Sequence, residues 1–256
     1  MLLSAVLYAR GLSNLWSTAG GGRGVTHGAA WCYAAGWIAL GLALLSPLDA
    51  TGERLFSAHM VQHEILMLVA APLLVIGRPL ATWSWALSPA SRARIGRAVA
   101  HPAWAAAWTV ITRPASAWAL HAVALWGWHA PALFAAARAD PLVHALQHAS
   151  FFLTALLFWW SLLRPQARRS FSGGALVYLF TTMLHTGALG ALFVFSGELW
   201  YPQNGVAAAE WGWTPLEDQQ LGGLIMWIPG GLVYLVAALV LLGRALTRAG
   251  GKEAYP

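Results

Sequence analysis

The chain has 256 residues, of which 59% are hydrophobic and 9% charged, against about 25% charged in a soluble domain. Its apolar residues fall in blocks of roughly 20, each long enough to cross a bilayer. The net charge of +6 does not point to nucleic acid, because the basic residues sit between apolar blocks, where they orient a membrane protein.

Taken in chain order, residues 1–9 are apolar but lack the basic start and cleavage site of a signal peptide. They read as the end of a shortened first span. Gly20-Gly-Gly-Arg-Gly24 follows no strand and reads as a loop. Six clear spans then follow at about 28–46, 57–77, 115–133, 142–163, 174–196 and 219–243. The stretch 103–112 is apolar but too short to cross, and reads as interfacial. Pro47, Pro79, Pro114, Pro141 and Pro165 mark span ends, whereas Pro72 and Pro229 fall inside spans and predict kinks. Many of the 16 tryptophans lie near block ends, as interfacial anchors do. The fold class is all-α: a polytopic transmembrane helical bundle, six clear spans plus a short N-terminal seventh. Residues 1–256 form a single integral membrane domain, since no linker or charge run divides them. Cys32 is the only cysteine, so neither an intrachain disulfide nor a Cys-x-x-Cys motif is available.

Loop charge sets the orientation. One side receives Arg10, Arg23, Arg78, Arg92, Arg94, Arg97, Arg113, Arg164, Arg168, Arg169, Arg244, Arg248 and Lys252; the other receives Arg54 and Arg138. Thirteen against two makes the first side cytoplasmic, together with the C-terminus.

His59-Met-Val-Gln-His63 and His144-Ala-Leu-Gln-His148 nearly repeat each other. Each string puts two imidazoles four residues apart, on one helix face and roughly 5–6 Å apart. Both begin a span on the outer side. A histidine pair on a dry helix face is costly unless it is paired, hydrated or bound. Two facing pairs offer four nitrogens to one metal ion with almost no rearrangement. His129 and Asp218 lie at the same level, and His185 is nearer mid-span. Gln62 and Gln147 occupy equivalent places and read either as hydrogen-bond partners of the imidazoles or as a sign of pseudo-repetition. Met67 lies one turn below His63. A thioether there favours Cu(I), and a packing methionine is the plainer reading. Glu64 is an intramembrane carboxylate, read as a proton or metal ligand or as a paired structural group. Phosphate-binding glycine loops, Gly-x-Ser-x-Gly and His-Glu-x-x-His are all absent from the sequence.

Seven segments in order resemble the CtaG-type cytochrome c oxidase assembly factors of bacteria. They are Ser46-Pro-Leu-Asp49, Ser57-Ala-His-Met-Val-Gln-His63, Ala71-Pro-Leu-Leu74, Trp128-His-Ala-Pro131, His144-Ala-Leu-Gln-His148, Phe158-Trp-Trp160 and Asp218-Gln-Gln-Leu-Gly-Gly-Leu-Ile-Met-Trp227. The resemblance runs from about residue 28 to 243. It implies a multi-pass bacterial plasma-membrane protein that assists assembly of haem-copper oxidases, with copper delivery as its proposed role. Oxidase subunits or a copper chaperone are its implied partners. It carries Asp49, His59, His63, His129, His144, His148 and Asp218 over as the family's polar positions. Many relatives have Glu where Gln147 stands.

The reading that follows is a non-enzymatic assembly factor with copper at His59, His63, His144 and His148, and with His129, Asp218, Asp49, Met67, Glu64, His185, Gln62 and Gln147 as further ligands or supports. Three alternatives stay open. One is an intramembrane zinc hydrolase built on His59, His63, His148, Asp218 and an activated water. Another is a haem electron carrier with axial histidines. The third is a structural chaperone whose histidines only stabilise the bundle.

Overall fold

Proline opens most of the helices. In the computed structural model, which describes residues 1–163, 173–202 and 205–253, Pro47, Pro79, Pro89, Pro102, Pro114 and Pro131 each stand in a helix's first turn. The ring's fixed φ suits that position, and the N–H it lacks would have no partner there. Pro165, Arg164, Arg168 and Arg169 lie outside the described residues.

The described elements are all helical. α1 (Leu2–Ala19) leads through a turn into α2 (His27–Leu45) and the short α3 (Pro47–Gly52). α4 (Phe56–Glu64) continues through a π-helical segment, Ile65–Ala70, into α5 (Ala71–Ile76). α6 (Pro79–Trp85), α7 (Pro89–Val99) and α8 (Pro102–Ile111) form the long connection. α9 (Pro114–Trp128), α10 (Pro131–Ala139) and α11 (Pro141–Leu163) follow. α12 (Gly173–Phe195), the single turn α13 (Gly205–Ala208) and α14 (Pro215–Glu253) complete the bundle.

Among the described residues, five stretches are long and apolar enough to cross a membrane: His27–Leu45, Phe56–Ile76, Pro141–Leu163, Gly173–Phe195 and Pro215–Thr247. Each matches an expected span, the last being longer than expected. The span expected at 115–133 is corrected: its helix stops at Trp128 after 15 residues. The cause is Pro131, which forces the preceding Ala130 into an extended conformation (ψ 132°) and starts a new helix. The N-terminal expectation is corrected as well. α1 is an 18-residue helix running through Arg10, because Tyr8, Gly11 and Leu15 bury one face of it and specific hydrogen bonds hold it on both sides of the charge. Tyr8 donates its hydroxyl to the Gly77 carbonyl (2.7 Å), and Asn14 donates to that of Trp85 (3.0 Å). The stretch expected at 103–112 is α8, which buries no residue.

Both interior prolines are absorbed. Pro72 cannot donate to the Leu68 carbonyl, and upstream of it the turn widens, with the Ala71 N–H reaching Leu66. α14 runs through Pro229 without interruption. α12 and α14 cross with their backbones touching, since a Cβ at Gly223 would lie 2.6 Å from the Gly190 carbonyl oxygen. α4, α5, α9, α11, α12 and α14 enclose the main core, which is built on Phe56, Met60, Phe151, Phe158, Leu179 and Phe193.

Candidate metal centre

α4 enters the bundle without a local cap, because its N-cap residue is Leu55. Asp218, in the first turn of α14, supplies one from afar. Its two carboxylate oxygens accept the backbone N–H groups of Phe56 (2.7 Å) and Ser57 (3.1 Å), and the Ser57 hydroxyl as well. These bonds fix where α4 starts and therefore where the next two turns point. His59 and His63 follow on one face, both fully buried.

α11 brings the second pair opposite them. The His59 ring lies 4.1 Å from that of His63, 5.3 Å from His144 and 5.5 Å from His148, centre to centre. The His63 ring lies 5.2 Å from His148. One ring nitrogen from each of His59, His63 and His148 can be chosen so that all three lie within 4.8 Å of one another. His144 stands beside them with its ring 4.3 Å from His148, but is less buried and sits at the mouth. The two pairs therefore face each other in one cluster, with three buried imidazoles and a fourth, His144, that is partly exposed.

Neither ring nitrogen of His59 or His63 has a hydrogen-bond partner, nor does Nε2 of His129, His144 or His148. A buried polar group left unsatisfied costs about 1–3 kcal/mol. Seven ring nitrogens are left so; each neutral imidazole has one lone pair to offer, and those of His59, His63 and His148 are close enough together to share one cation. Phe134 meets the His59 ring edge-on at 5.7 Å, and Phe151 meets His63 at 4.6 Å. These rings form apolar walls beside the two imidazoles.

The remaining sequence-predicted residues sort into two groups. His129 caps α9 close by, its ring 6.2 Å from His63 and its Nδ1 bonded to the Leu125 carbonyl. Gln147 is buried with its amide unpartnered. The others serve elsewhere. Asp218 is a cap. Gln62 donates to the Ala43 carbonyl (2.7 Å) and to Asp49 (2.6 Å), so both side chains tie α4 to α2 and α3. Met67 is buried in the apolar core and its carbonyl takes the Trp159 indole N–H. Glu64 turns towards α14, where only the missing side chain of Gly230 leaves it room. His185 takes the Trp126 indole N–H (3.3 Å) and belongs to a separate, deeper group with Trp118.

Two contributors were not anticipated. Arg138 of α10, bonded to the Gly52 carbonyl (3.0 Å), stands within electrostatic reach of His59 and His144. Tyr201 donates to the His129 carbonyl (2.7 Å) and stacks on Phe134 at 3.9 Å, backing the ring that meets His59. Neither carries a sequence signal, since each bonds to a carbonyl far along the chain that only tertiary packing brings to it. Across the rim, Arg54 pairs with Glu210.

No curated protein and no solved structure matches the chain. The profile of one family, described as cytochrome c oxidase caa3 assembly factor (Caa3_CtaG), matches residues 6–248. Matched over nearly its whole length, this histidine-centred membrane bundle belongs to the Caa3_CtaG family of cytochrome c oxidase assembly factors.

Proposed function

We propose that the chain carries copper as cargo, holding it at His59, His63 and His148 with His144 at the entrance, and passes it to the oxidase while the copper centres mature. The observation that carries this reading is the convergence of three buried imidazoles whose nitrogens lie within 4.8 Å and whose hydrogen bonds the fold does not supply. Imidazole suits both copper and zinc. The charge balance favours Cu(I). No carboxylate belongs to the set, because Asp49 and Asp218 are already bonded and Glu64 faces another helix. With only neutral imidazoles as ligands and the Arg138 guanidinium within electrostatic reach, a monovalent ion enters the site at far lower cost than a divalent one.

The same observation weakens the alternatives. The zinc hydrolase loses its carboxylate to the α4 cap. A haem needs a flat slot between its axial ligands, and imidazole rings 4.1–5.5 Å apart leave none. Holding and releasing an ion requires no bond-making chemistry, so the chain acts as an assembly factor and not as an enzyme. The charge bias of the loops supports a histidine mouth on the outer face of the bacterial plasma membrane and a cytoplasmic C-terminus. Oxidase subunits or a soluble copper chaperone are then the partners at that mouth.

The test is metal analysis of protein purified under reducing conditions, wild type beside H63A/H148A. Copper in the wild type that is lost in the variant supports the reading. Stoichiometric zinc, or copper retained equally by both, would reject it.

A further inference from the structure

α7 and α8 present a second feature, at the opposite end of the bundle from the histidines. Neither helix buries a residue, yet each turns one face into a common groove of about 750 Å³. On α7 that face is Arg92, Ile95, Gly96 and Val99, a stripe at helical spacing. On α8 it is Trp104 and Trp108, one turn apart. Two apolar stripes facing each other across open space are poor company for water, and the volume is that of a ligand site, which runs to about 300–1,000 Å³.

The groove is not uniformly apolar. The Arg92 guanidinium lies 4.1 Å over the Trp85 ring, and its Nε is buried without a partner. Among the described residues no carboxylate pairs with it. No Asp or Glu occurs between Glu64 and Asp140, and the one ion pair among the described residues is Arg54–Glu210 at the other end. The groove also has a definite level. α6 begins three residues after α5 ends, α8 runs into the start of α9, and Trp160 from the last turn of α11 closes one side. It therefore opens where spans end, at the height of lipid headgroups.

We propose that this groove is a binding site for an anionic phospholipid. One acyl chain lies between the α7 and α8 stripes, and the phosphate meets Arg92, whose planar fork suits a phosphate's paired oxygens. The lipid is then the missing packing partner that docks the α7–α8 connection onto the bundle.

The experiment uses the full chain in neutral detergent, with phosphatidylglycerol or phosphatidylcholine added. Thermal unfolding and native mass spectrometry are the readouts. Phosphatidylglycerol should raise the unfolding temperature and stay bound on ionisation, while phosphatidylcholine at equal concentration does neither. R92Q should weaken phosphatidylglycerol binding about tenfold, the loss of one charge-assisted contact of about 1.4 kcal/mol. R94Q, whose side chain lies outside the groove, should keep the wild-type preference. G96L should abolish binding by filling the groove, since no atom lies within 4 Å of a Cβ at that position. Should G96L fail to fold, R92Q against R94Q decides. Equal stabilisation by both lipids, equal losses in R92Q and R94Q, or an effect reproduced by inorganic phosphate would overturn the proposal. So would a copurified peptide that G96L displaces and phosphatidylglycerol does not.

Discussion

The carboxylate of Asp218 caps Phe56, a residue 162 positions earlier in the chain. That single contact joins the first turn of α14 to the first turn of α4, one turn above His59. The register of the histidines thus depends on a side chain that never reaches them.

Asp218→Ala should therefore loosen the centre without removing a ligand. Loss of the cap should cost about 1–3 kcal/mol of stability, because the Phe56 and Ser57 N–H groups are left buried and unbonded. Metal affinity should fall while stoichiometry holds. Asp218→Asn should be milder, since its amide oxygen still accepts. Thermal unfolding together with a metal titration separates this from loss of a ligand, which would reduce stoichiometry.

Replacing His63 and His148 by Ala should leave the chain inserted and folded. The apolar faces that hold the bundle together are untouched, and two unsatisfied groups disappear from its interior. In the host, oxidase subunits should be made but underfilled with copper. Excess copper should partly restore activity by mass action at a weakened site. His144→Ala should have a smaller effect on retained copper and a larger one on its loading rate, because that ring stands at the entrance. Normal oxidase levels in the double variant under copper limitation would show that these histidines do not deliver the ion.

Gly223→Leu should be severely destabilising. Its Cβ would lie 2.6 Å from the Gly190 carbonyl oxygen and 2.7 Å from the Phe193 Cβ, so α12 and α14 must part. Overpacking of this kind costs about 1–3 kcal/mol or more. Gly243→Leu, with open space around its Cβ, is the control and should be tolerated. The comparison is read as yield of monodisperse protein and as unfolding temperature.

A topology reporter fused after Lys252 should be active only in its cytoplasmic form, from the 13-to-2 bias of basic residues. A periplasmic signal would turn the bundle over and put the histidine mouth at the wrong face for an outer-side handover.

Much of the frame was legible because membrane spans and histidine pairs are local signals. A run of about 20 apolar residues declares itself, and His-x-x-x-His needs only the period of a helix to become a chelating face. The break after Trp128 was less so. Pro131 was visible, but the apolar residues around it carried the expected span across to 133. α1 was cut at Arg10 for the opposite reason, since a charge looks like an end when the hydrogen bonds to Gly77 and Trp85 that continue the helix are not in view. The roles of Asp218, Gln62 and Arg138 were beyond reach. Each depends on a partner chosen by tertiary packing, and a polar residue at the right depth looks the same whether it binds an ion or a backbone amide.

The early stop of α9 changes the surroundings of the bundle as well as its interior. Fifteen helical residues rise only about 22 Å, against a hydrocarbon layer of about 30 Å. A short element in a thick layer pulls the surrounding lipid down towards it or lets water follow it inward. In the orientation and with the cargo proposed above, the shortfall lies on the side where His129 ends the helix and His144 stands. An ion arriving from that side would then meet the first imidazole before shedding all of its hydration, and the steepest part of its passage into the apolar phase would be shortened by several ångströms.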